Sequence, residues 1–501
     1  LLGLVGSEMC IRDRNKGVFV KFRLISKILG TGLILFSLIQ LVPVLISFIY
    51  SETNYSSFFQ SALITFVSGL FLYGVNYKKD YEDLKIRDGF LLIVLLWFVF
   101  SIFASIPFIL QEKSLSVVNA YFESVSGLTT TGATIFTNLD VELKSILFYR
   151  ALLQWVGGLG IVVLALALFP ILGIGGMQLY RGEASNPVNN NKLRPKMAET
   201  AKSLWFIYLF LTIMCFFCYR FSGMSNFDAI THSFSTIAIG GFSNYDASFA
   251  YFSNNFIYFF ASVFMFLSAM SFSLHFVAFN KLELGGYFKD KELSFYSLIL
   301  FSSFLIIFIV LQSSIGLDNI DTLILSLFQT VSFATTTGFV VTDHSSLPLF
   351  IPYLLIALAG MGACAGSTGG GLKAIRIYIL YRQAKNELKK LIHPSSVIPL
   401  KVGDNVIDSD ISDSVWGFVS VYLFALFFGI LLILATGLNI ETAFSTIFSC
   451  LNNLGPALGD ATNNYASLND VSKIILSFTM ILGRLEIYTL LVLFTTFFWR
   501  S

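Results

Sequence analysis

Four short turns of the sequence are rich in groups that could bind a dehydrated cation. Each turn centres on glycine, and the glycines recur at intervals of about 100 residues, which marks an internal repeat. The turns are TTTGAT at 129–134, IAIGGF at 237–242, TTTGFV at 335–340 and NNLGPA at 452–457, aligned on Gly132, Gly240, Gly338 and Gly455. Four matching turns indicate one shared site rather than four unrelated bends.

Backbone carbonyl oxygens are the expected ligands in these turns. A dehydrated cation needs several oxygen ligands at once, and stacked carbonyls supply them without placing fixed charge inside a membrane. Glycine allows the dihedral angles that turn its carbonyl inward, and threonine adds hydroxyl groups that can brace or extend the carbonyl rings. No turn has Asp or Glu at its aligned glycine or beside it. The predicted cation-binding residues are Thr130, Thr131, Gly132, Ala238, Ile239, Gly240, Thr336, Thr337, Gly338, Asn453, Leu454 and Gly455.

A short amphipathic segment precedes each turn. The segments YFESVSGL, FDAITHSFST, LFQTVSFA and TAFSTIFSC are too short to span a bilayer and too polar to face lipid. Each fits a half-membrane helix that enters from outside and turns back. Irregular backbone at membrane depth survives only where protein buries it or where it lines a wet cavity, so the four turns predict a common aqueous centre.

A run of small residues, from Gly360 to Gly371, interrupts a later apolar stretch. Each glycine destabilises a continuous helix by about 1 kcal/mol relative to alanine, so we expect an unwound loop inside the membrane. Close helix packing through small residues is the alternative. The lack of Walker spacing and of a nucleotide-binding context in GSTGGGLK argues against a phosphate-binding loop.

Arg484 lies in the middle of the last apolar stretch, with Glu486 two residues later. An ionisable residue at that depth indicates function, because leaving it in lipid is expensive. The structural alternative is an ion pair between helices that joins Arg484 to Glu486 or to another acid. Lys373, directly after the triple glycine, could support the same part of the chain.

Composition places these features in a membrane protein. Of the 501 residues, 55% are hydrophobic and 12% are charged, with a mean hydropathy of +0.77. A soluble chain of this length needs more charged surface. Ten stretches are long and apolar enough to span a bilayer; they lie at 27–50, 57–76, 89–111, 146–172, 201–222, 251–279, 294–316, 349–380, 414–437 and 471–498.

Charge sorts the connecting loops into two sides. Every second loop is basic, so those loops and both termini are predicted to be cytoplasmic. The basic residues include Lys78, Lys79, Lys85, Arg181, Lys192, Lys281, Lys289, Lys291, Arg376, Arg382, Lys385, Lys389 and Lys390. The opposite loops are predominantly acidic, with Glu123, Asp228 and Asp460 among them. An outer mouth of that sign concentrates cations.

Several other function classes are excluded or disfavoured. A net charge of +2 indicates neither nucleic-acid binding nor an acidic substrate. Five scattered cysteines do not make a disulfide framework, and Cys215 and Cys218 lie in an apolar run with no nearby histidine, which argues against a metal site. No paired catalytic carboxylates, Ser/His/Asp grouping or metal-ligand cluster is evident, so an enzyme is not expected.

The turns and their neighbours resemble a known superfamily, the potassium transporters that include the Trk, Ktr and plant HKT proteins. Besides the four turns, GMQLYRGEASNP, KLRPKMAETAK, GACAGSTGGGLKAIRI and LGRLEIYT are similar to bacterial TrkH sequences, and the resemblance extends from about residue 20 to the end. The two extra N-terminal spans favour this branch over the shorter KtrB proteins.

The resemblance implies a function and its parts. It implies potassium uptake across a bacterial inner membrane, with K+ bound only at the turn residues and no cofactor in the chain. It also implies a homodimer governed by a cytosolic ring of nucleotide-binding TrkA subunits. Residues Gly369, Gly370, Gly371 and Lys373 would belong to an intramembrane loop that closes the pore below the filter, and Arg484 would be an electrostatic barrier there.

In the same superfamily the filter glycines bear on ion choice, and serine in the first turn is associated with sodium permeation in plant relatives. All four aligned positions are glycine here, which supports potassium. The second and fourth turns depart from the Thr-Thr-Gly pattern. The filter is therefore not fourfold symmetric, and its selectivity is expected to be weaker than that of a true channel.

The predicted fold class is an all-α membrane protein with four tandem units of span, pore loop and span around a central pore, preceded by two extra transmembrane helices. The units are expected at 88–200, 201–292, 293–412 (with the gate loop) and 413–501, after a two-helix domain at 16–87. Residues 1–15 are set apart because GSEMCIRDR resembles translated sequencing-adapter sequence; a short basic cytoplasmic tail is the alternative.

A coupled secondary transporter of sodium or of another solute is the competing function. A broken helix would then line a midplane binding site, usually within inverted repeats. The four units here all run in the same direction, which favours the pore.

Overall fold

The computed structural model describes residues 21–74, 86–111, 115–172, 193–281, 285–315, 319–342, 347–396, 398–403 and 405–500. Segment 1–15 and the basic residues Lys78, Lys79, Lys85, Arg181 and Lys192 lie outside these ranges. Within the ranges the chain is helical apart from turns and a short antiparallel ribbon of β1 (Lys401–Val402) and β2 (Asn405–Val406).

The described helices range from 4 to 29 residues in length. In chain order they are α1 (Phe22–Gln40), α2 (Val42–Ile49), α3 (Tyr55–Gly74), α4 (Ile86–Leu110), α5 (Val117–Leu128), α6 (Lys144–Leu172), α7 (Leu193–Phe221), α8 (Asn226–Ile237), α9 (Asn255–Ala269), α10 (Phe272–Lys281), α11 (Gly285–Lys289), α12 (Lys291–Ile315), α13 (Asn319–Ala334), α14 (Phe350–Met361), α15 (Ala374–Ile392), α16 (Ser409–Leu434), α17 (Ile440–Asn452), α18 (Asp470–Arg484), α19 (Tyr488–Leu491) and α20 (Thr496–Arg500).

Long apolar helices make this an all-helical membrane protein. Among the residues that the structure describes, six stretches of 20 to 28 residues are apolar enough to cross a membrane by themselves: 22–49, 55–74, 87–110, 201–221, 291–314 and 409–434. Two further stretches qualify only as bent pairs. Helices α9 and α10 meet at 92°, and α18 meets the following helical segment at 107°.

These two bends correct the expectation of simple spans at 251–279 and 471–498. Neither break contains a proline that hydropathy could have revealed: the first lies at Met270 and Ser271, and the second at Leu485 to Ile487. The second break has two non-glycine residues in the left-handed region, Glu486 (φ +52°) and Ile487 (φ +51°). Such backbone is disfavoured and persists only where its surroundings hold it.

Side-chain caps define the starts of the short helices α5, α8 and α17. Ser116, Ser225 and Asn439 each accept a hydrogen bond from the backbone N–H three residues later. Caps of this kind satisfy N–H groups that the first helical turn leaves free. Short helices that begin in this way need no long apolar run, which is why hydropathy alone does not find them.

The short helices α5, α8, α13 and α17 pack in a closed cycle. Each contacts the helices that flank it in sequence and, in addition, a helix of the preceding set: α8 contacts α6, α13 contacts α9, and α17 contacts α14. The cycle closes because α5 contacts α18, near the other end of the chain. The ends of the short helices are thereby brought together.

The N-terminal helices pack against this assembly from one side. Helices α1 and α3 lie close together, since a methyl group on Gly30 would be 2.7 Å from the carbonyl oxygen of Gly69. Small residues allow this close approach between apolar helices. Helix α3 also contacts α4, and α2 contacts α6.

Candidate functional site

Each short helix runs directly into one of the four glycine turns, and the turns share one backbone conformation. In every turn a non-glycine residue in the left-handed region is followed two residues later by a glycine with positive φ. The pairs are Thr130 and Gly132, Ile239 and Gly241, Thr336 and Gly338, and Asn453 and Gly455. The left-handed conformation is energetically disfavoured at the first residue of each pair. Its recurrence in all four turns therefore indicates one repeated structural element.

Gly241, not Gly240, is the counterpart of the other three glycines. Its φ is +81°, against +82° at Gly132, +79° at Gly338 and +98° at Gly455. The alignment on Gly240 is therefore shifted by one residue, and Ala238 corresponds to Thr129, one position before the triplet predicted in the other turns. Two adjacent glycines made both registers possible in the sequence.

Hydrogen bonds confirm the corrected register. In each turn the N–H of the residue before the glycine donates to the carbonyl oxygen of a serine five residues earlier. The bonds run from Thr131 to Ser126 (2.9 Å), from Gly240 to Ser235 (2.8 Å), from Thr337 to Ser332 (2.9 Å) and from Leu454 to Ser449 (2.9 Å). The four turns thus have the same internal scaffold despite their different sequences.

The turns approach one another in a second closed cycle. A methyl group on any of the four glycines would lie closer than 3.0 Å to a backbone carbonyl oxygen of the next turn. The contacts are Gly132 with Gly240, Gly241 with Thr337, Gly338 with Leu454, and Gly455 with Thr131. All four turns therefore meet around one centre, and only glycine fits at the points of contact.

The electrostatics of this centre favour a cation. The C-terminal ends of α5, α8, α13 and α17 lie at the turns, and a helix C-terminus carries about half a negative elementary charge. Carbonyl oxygens of the turns add further partial negative charge. The threonine hydroxyls brace one another, with Thr129 Oγ1 2.7 Å from Thr131 Oγ1 and Thr335 Oγ1 2.7 Å from Thr337 Oγ1.

Some of the predicted ligands also accept hydrogen bonds from other parts of the protein. The carbonyl oxygen of Gly240 accepts from Gln154 Nε2 (2.5 Å), and that of Gly455 accepts from the Tyr465 hydroxyl (2.7 Å). Asn453 contributes its amide rather than only its backbone, because Nδ2 donates to Thr131 Oγ1 (3.0 Å). The first and fourth turns are joined by this bond.

Sequence reasoning missed a buried ion pair behind the first turn. Glu123 was expected in an acidic outer loop, but its side chain is fully buried and accepts from Arg150 Nε at 2.7 Å. Asp228, expected in the same outer set, is also buried and accepts from Asn244 Nδ2 (2.8 Å) and the Tyr245 hydroxyl (3.1 Å). An ionisable residue in each apolar segment was the signal that could have revealed the pair.

Between α14 and α15 the chain is non-helical from Gly362 to Lys373, where the small-residue run predicts an unwound segment. We call residues 362–373 the central segment. Gly362, Gly366 and Gly371 have positive φ, as does Lys373 (φ +78°). The Lys373 ammonium donates to the carbonyl oxygen of Gly369 at 2.5 Å, which closes the segment on itself.

The central segment lies against the ends of the short helices. The Gly370 N–H donates to Thr336 Oγ1 (2.8 Å), and the Thr368 hydroxyl donates to the carbonyl oxygen of Ile237 (3.2 Å). A methyl group on Gly370 would overlap the Asn452 carbonyl oxygen. The segment therefore contacts the second, third and fourth turns.

Arg484 joins the last long helix to the central segment. Its side chain is buried (3% exposed), and Nη1 donates to the Thr368 carbonyl oxygen at 2.9 Å. Its Nε and Nη2 have no hydrogen-bond partner among the residues that the structure describes. Glu486 pairs instead with Arg376, at 2.5 Å between Oε2 and Nη2, so the expected alternative of an Arg484–Glu486 pair is not formed.

Glu292, at the start of α12, joins the central segment to the first turn of α15. Its Oε1 accepts from the Ala365 N–H (2.7 Å) and from the Ile375 N–H (3.1 Å). On the opposite side, the bend between α9 and α10 pairs with the segment, because Cys364 N–H donates to Ala269 O (3.0 Å). The break in this long helix makes room for that pairing.

Two buried histidines have structural partners. His232 contacts the Asp228 carbonyl oxygen and the Ser243 hydroxyl, and His275 contacts the Tyr287 hydroxyl. Cys215 and Cys218 are free thiols. Within the described ranges, no group of three or more His, Cys, Asp or Glu residues could hold a metal ion.

Comparisons with known proteins agree with this geometry. The family model "TrkH: Cation transport protein" matches residues 55–501. The Trk system potassium uptake protein TrkH of Halomonas elongata is 46% identical over 96% of this chain and 100% of its own length, and that of Escherichia coli K12 is 45% identical with the same coverage. Escherichia coli TrkG is 37% identical over 96% of this chain and 99% of its own length.

A solved structure has the same fold. The crystal structure of the potassium transporter TrkH from Vibrio parahaemolyticus superposes with a TM-score of 0.89, at 44% identity, over 96% of this chain and 100% of that one. Family, relatives and structure agree over almost the whole chain, and the superfamily resemblance of the motifs is confirmed. The chain is a membrane transport protein rather than an enzyme, and it belongs to the TrkH family of cation transport proteins.

Proposed function

We propose that this chain takes up potassium across the bacterial cytoplasmic membrane through a pathway lined by the four glycine turns. The observation that carries the proposal is the closed cycle of contacts between each turn glycine and a carbonyl oxygen of the next turn. Such a cycle concentrates backbone oxygens around one axis, which is the arrangement that replaces the hydration shell of a monovalent cation. The relatives named above are potassium uptake proteins of the Trk system.

The potassium ligands are the backbone carbonyl oxygens of the turn triplets. With the corrected register, these are residues 130–132, 239–241, 336–338 and 453–455. The negative ends of four short helices stabilise a cation at the centre without placing a carboxylate there. Potassium is the transported ion, and the chain needs no resident cofactor for this task.

The central segment is the gate of the pathway. It contacts three of the turns, through Thr368 and Gly370. Arg484 adds a positive charge at the same place, where it opposes the passage of a cation. Gly369, Gly371 and Lys373 shape the segment, and opening requires the segment to leave the turns.

The fold that supports this pathway has four tandem units. We assign them to 88–200, 201–292, 293–412 and 413–501, with 16–87 as an additional two-helix domain. The cyclic packing of α5, α8, α13 and α17 supports the assignment, because each short helix contacts the preceding unit. Residues 1–15 are assigned to no unit.

The remaining parts of the proposal concern orientation and assembly. Both termini and the basic loops are cytoplasmic by the positive-inside rule. The chain forms a homodimer and works with a cytosolic TrkA-type ring of nucleotide-binding subunits, as its membership of a Trk system suggests. The ring would act on the central segment from the cytoplasmic side.

Ion flux into liposomes tests the proposed function. The purified full chain is reconstituted, and uptake of tracer rubidium, as a potassium substitute, is compared with uptake of tracer sodium under the same gradient. We expect faster rubidium uptake, with competition by potassium. Uptake that ignores the identity of the cation would refute the filter, whereas strict dependence on a sodium or proton gradient would favour a coupled transporter.

A further inference from the structure

The ion pair between Glu123 and Arg150 is among the most deeply buried polar features of the described chain. The two side chains are 0% and 1% exposed, and Arg150 Nε lies 2.7 Å from Glu123 Oε1. Taking two charges out of water is expensive, and a buried pair often stabilises a protein no more than apolar residues of the same size would. A role in fixing geometry is therefore a better explanation for the pair than a role in stability.

Glu123 and Arg150 also form hydrogen bonds with the chain at the ends of the first two turns. Glu123 accepts from the Ile135 N–H (2.9 Å) and from the Thr134 hydroxyl (3.0 Å), on the chain that leaves the first turn. Arg150 Nη1 donates to the Ser243 carbonyl oxygen (3.0 Å), on the chain that leaves the second turn. The pair therefore connects the first turn to the second.

Gln154, one helical turn further along α6 than Arg150, anchors the second turn to the same helix. Its Nε2 donates to the Gly240 carbonyl oxygen (2.5 Å), and its Oε1 accepts from the Phe242 N–H (3.1 Å). The Phe242 ring in turn covers the guanidinium of Arg150, with 4.2 Å between Cζ and the ring centroid. Helix α6 thus holds the second turn on both sides of Gly241, by two residues spaced four apart.

The third and fourth turns are held by neutral groups where the structure describes them. The Ser332 hydroxyl donates to the Phe339 carbonyl oxygen (2.7 Å), and the Tyr465 hydroxyl donates to that of Gly455 (2.7 Å). The spacing between the first and second turns therefore depends on a charged connection with several hydrogen bonds. Its central group is the planar guanidinium of Arg150, which has a fixed hydrogen-bond geometry.

We propose that Glu123, Arg150 and Gln154 are positioning residues that determine ion selectivity by fixing the distance between the first two turns. The inference rests on the proposed function, since it assigns these residues to the same set of carbonyl ligands. A rigid spacing suits a cation of one radius, and a looser spacing lets the carbonyl oxygens close around the smaller sodium ion. Loss of the connection should therefore change which ion passes more than it changes how much passes.

The test compares rubidium and sodium uptake in one batch of liposomes. Their ratio does not depend on how much of the protein has folded, so a variant with a merely structural defect would leave the ratio unchanged. We expect Gln154→Met, which removes both hydrogen bonds and leaves no buried charge, to lower the rubidium-to-sodium ratio by about fivefold to tenfold. Arg150→Lys and Glu123→Gln should lower it in the same direction.

Glu387→Gln is the matched control, because Glu387 forms an exposed pair with Lys390. An unchanged ratio in Gln154→Met overturns the proposal even if the two charge variants fail to fold. That result, with a wild-type protein that prefers rubidium, would leave the proposed function intact. A wild-type protein without preference would instead refute the filter itself.

Discussion

The Arg484 side chain donates a hydrogen bond to the carbonyl oxygen of Thr368, 2.9 Å away, and so fastens the last long helix to the central segment. The two residues are 116 positions apart in the sequence. Because two of the guanidinium nitrogens have no other acceptor in the described part of the chain, the positive charge is poorly neutralised. Arg484 therefore combines two roles: its charge opposes a passing cation, and its hydrogen bond holds the central segment to the last long helix.

Arg484→Ala should raise cation flux in the absence of any regulatory subunit. A nearby positive charge opposes a passing cation by about 1 to 2 kcal/mol even at an effective dielectric constant of about 20, which corresponds to a flux increase of about tenfold. Rubidium uptake into liposomes measures the effect, with Lys390→Ala, on the exposed part of α15, as the control. Unchanged or lower flux would argue against the barrier.

Gly132→Ser should raise the share of sodium in the total flux. The serine side chain would press on the carbonyl oxygen of Gly240 and would also force a non-glycine residue to φ +82°. Left-handed backbone by itself costs about 1 to 2 kcal/mol. Gly437→Ser separates the two effects, because Gly437 has φ +91° with nothing within 4 Å of an added methyl group.

Only the collision at Gly132 should alter ion preference, whereas both variants should lose some thermal stability. The rubidium-to-sodium uptake ratio and the melting temperature are measured on the same preparations. A sodium share that rises equally in both variants would show that general destabilisation, and not the contact between turns, is responsible.

The corrected register predicts that Gly241→Ala destabilises the protein more than Gly240→Ala. An added methyl group at Gly241 meets the backbone of Thr337, but at Gly240 it meets the amide end of the Gln154 side chain, which can rotate away at the cost of its hydrogen bonds. Gly241 also has positive φ. We expect the free energy of unfolding to be about 1 to 3 kcal/mol lower for Gly241→Ala than for Gly240→Ala, which a lower melting temperature would show. A greater loss of stability in Gly240→Ala would instead support the alignment on Gly240.

Much of this site could be predicted because its signals are local. Glycine turns after short polar segments, the small-residue run before Lys373 and the charge at Arg484 can each be recognised without knowing what packs nearby. The register of the second turn was less accessible, because Gly240 and Gly241 compete. The phenylalanine that follows both Gly241 and Gly338 was the signal that could have decided it.

The connections between distant segments could not be predicted, since they depend on which helices become neighbours. Glu123 and Arg150 are 27 residues apart, and Arg376 and Glu486 are 110 apart. The bends after Ala269 and Arg484 could not be predicted from the sequence either. They result from tertiary hydrogen bonds to the central segment, such as that from Cys364 N–H to Ala269 O, and not from any residue that breaks helices locally.

Glu292→Gln should loosen the central segment and raise basal flux. A carboxylate accepts the N–H groups of Ala365 and Ile375 more strongly than an amide oxygen does, by about 1 kcal/mol, so we expect flux to rise about threefold to tenfold. Labelling of Cys364, which is 1% exposed, should accelerate in a protein whose other cysteines are replaced. Glu387→Gln is the control, and equal labelling rates would exclude this role of Glu292.

The pair of Arg376 and Glu486 should couple the start of α15 to the second bend. Single substitutions Arg376→Gln and Glu486→Gln, together with the double variant, form a thermodynamic cycle. The side chains are 12% and 31% exposed, so solvent screening limits the expected coupling to about 1 kcal/mol. Melting temperatures of the four proteins measure it, and strictly additive effects would show that the two groups act independently.

The cycle of four turns is built from a single polypeptide. In an assembly of four identical chains, one codon change alters every quadrant at once, but here it alters one quadrant and spares three. Evolution can therefore change the four turns one at a time. In the laboratory, a substitution in one turn can be made without linking several genes in tandem.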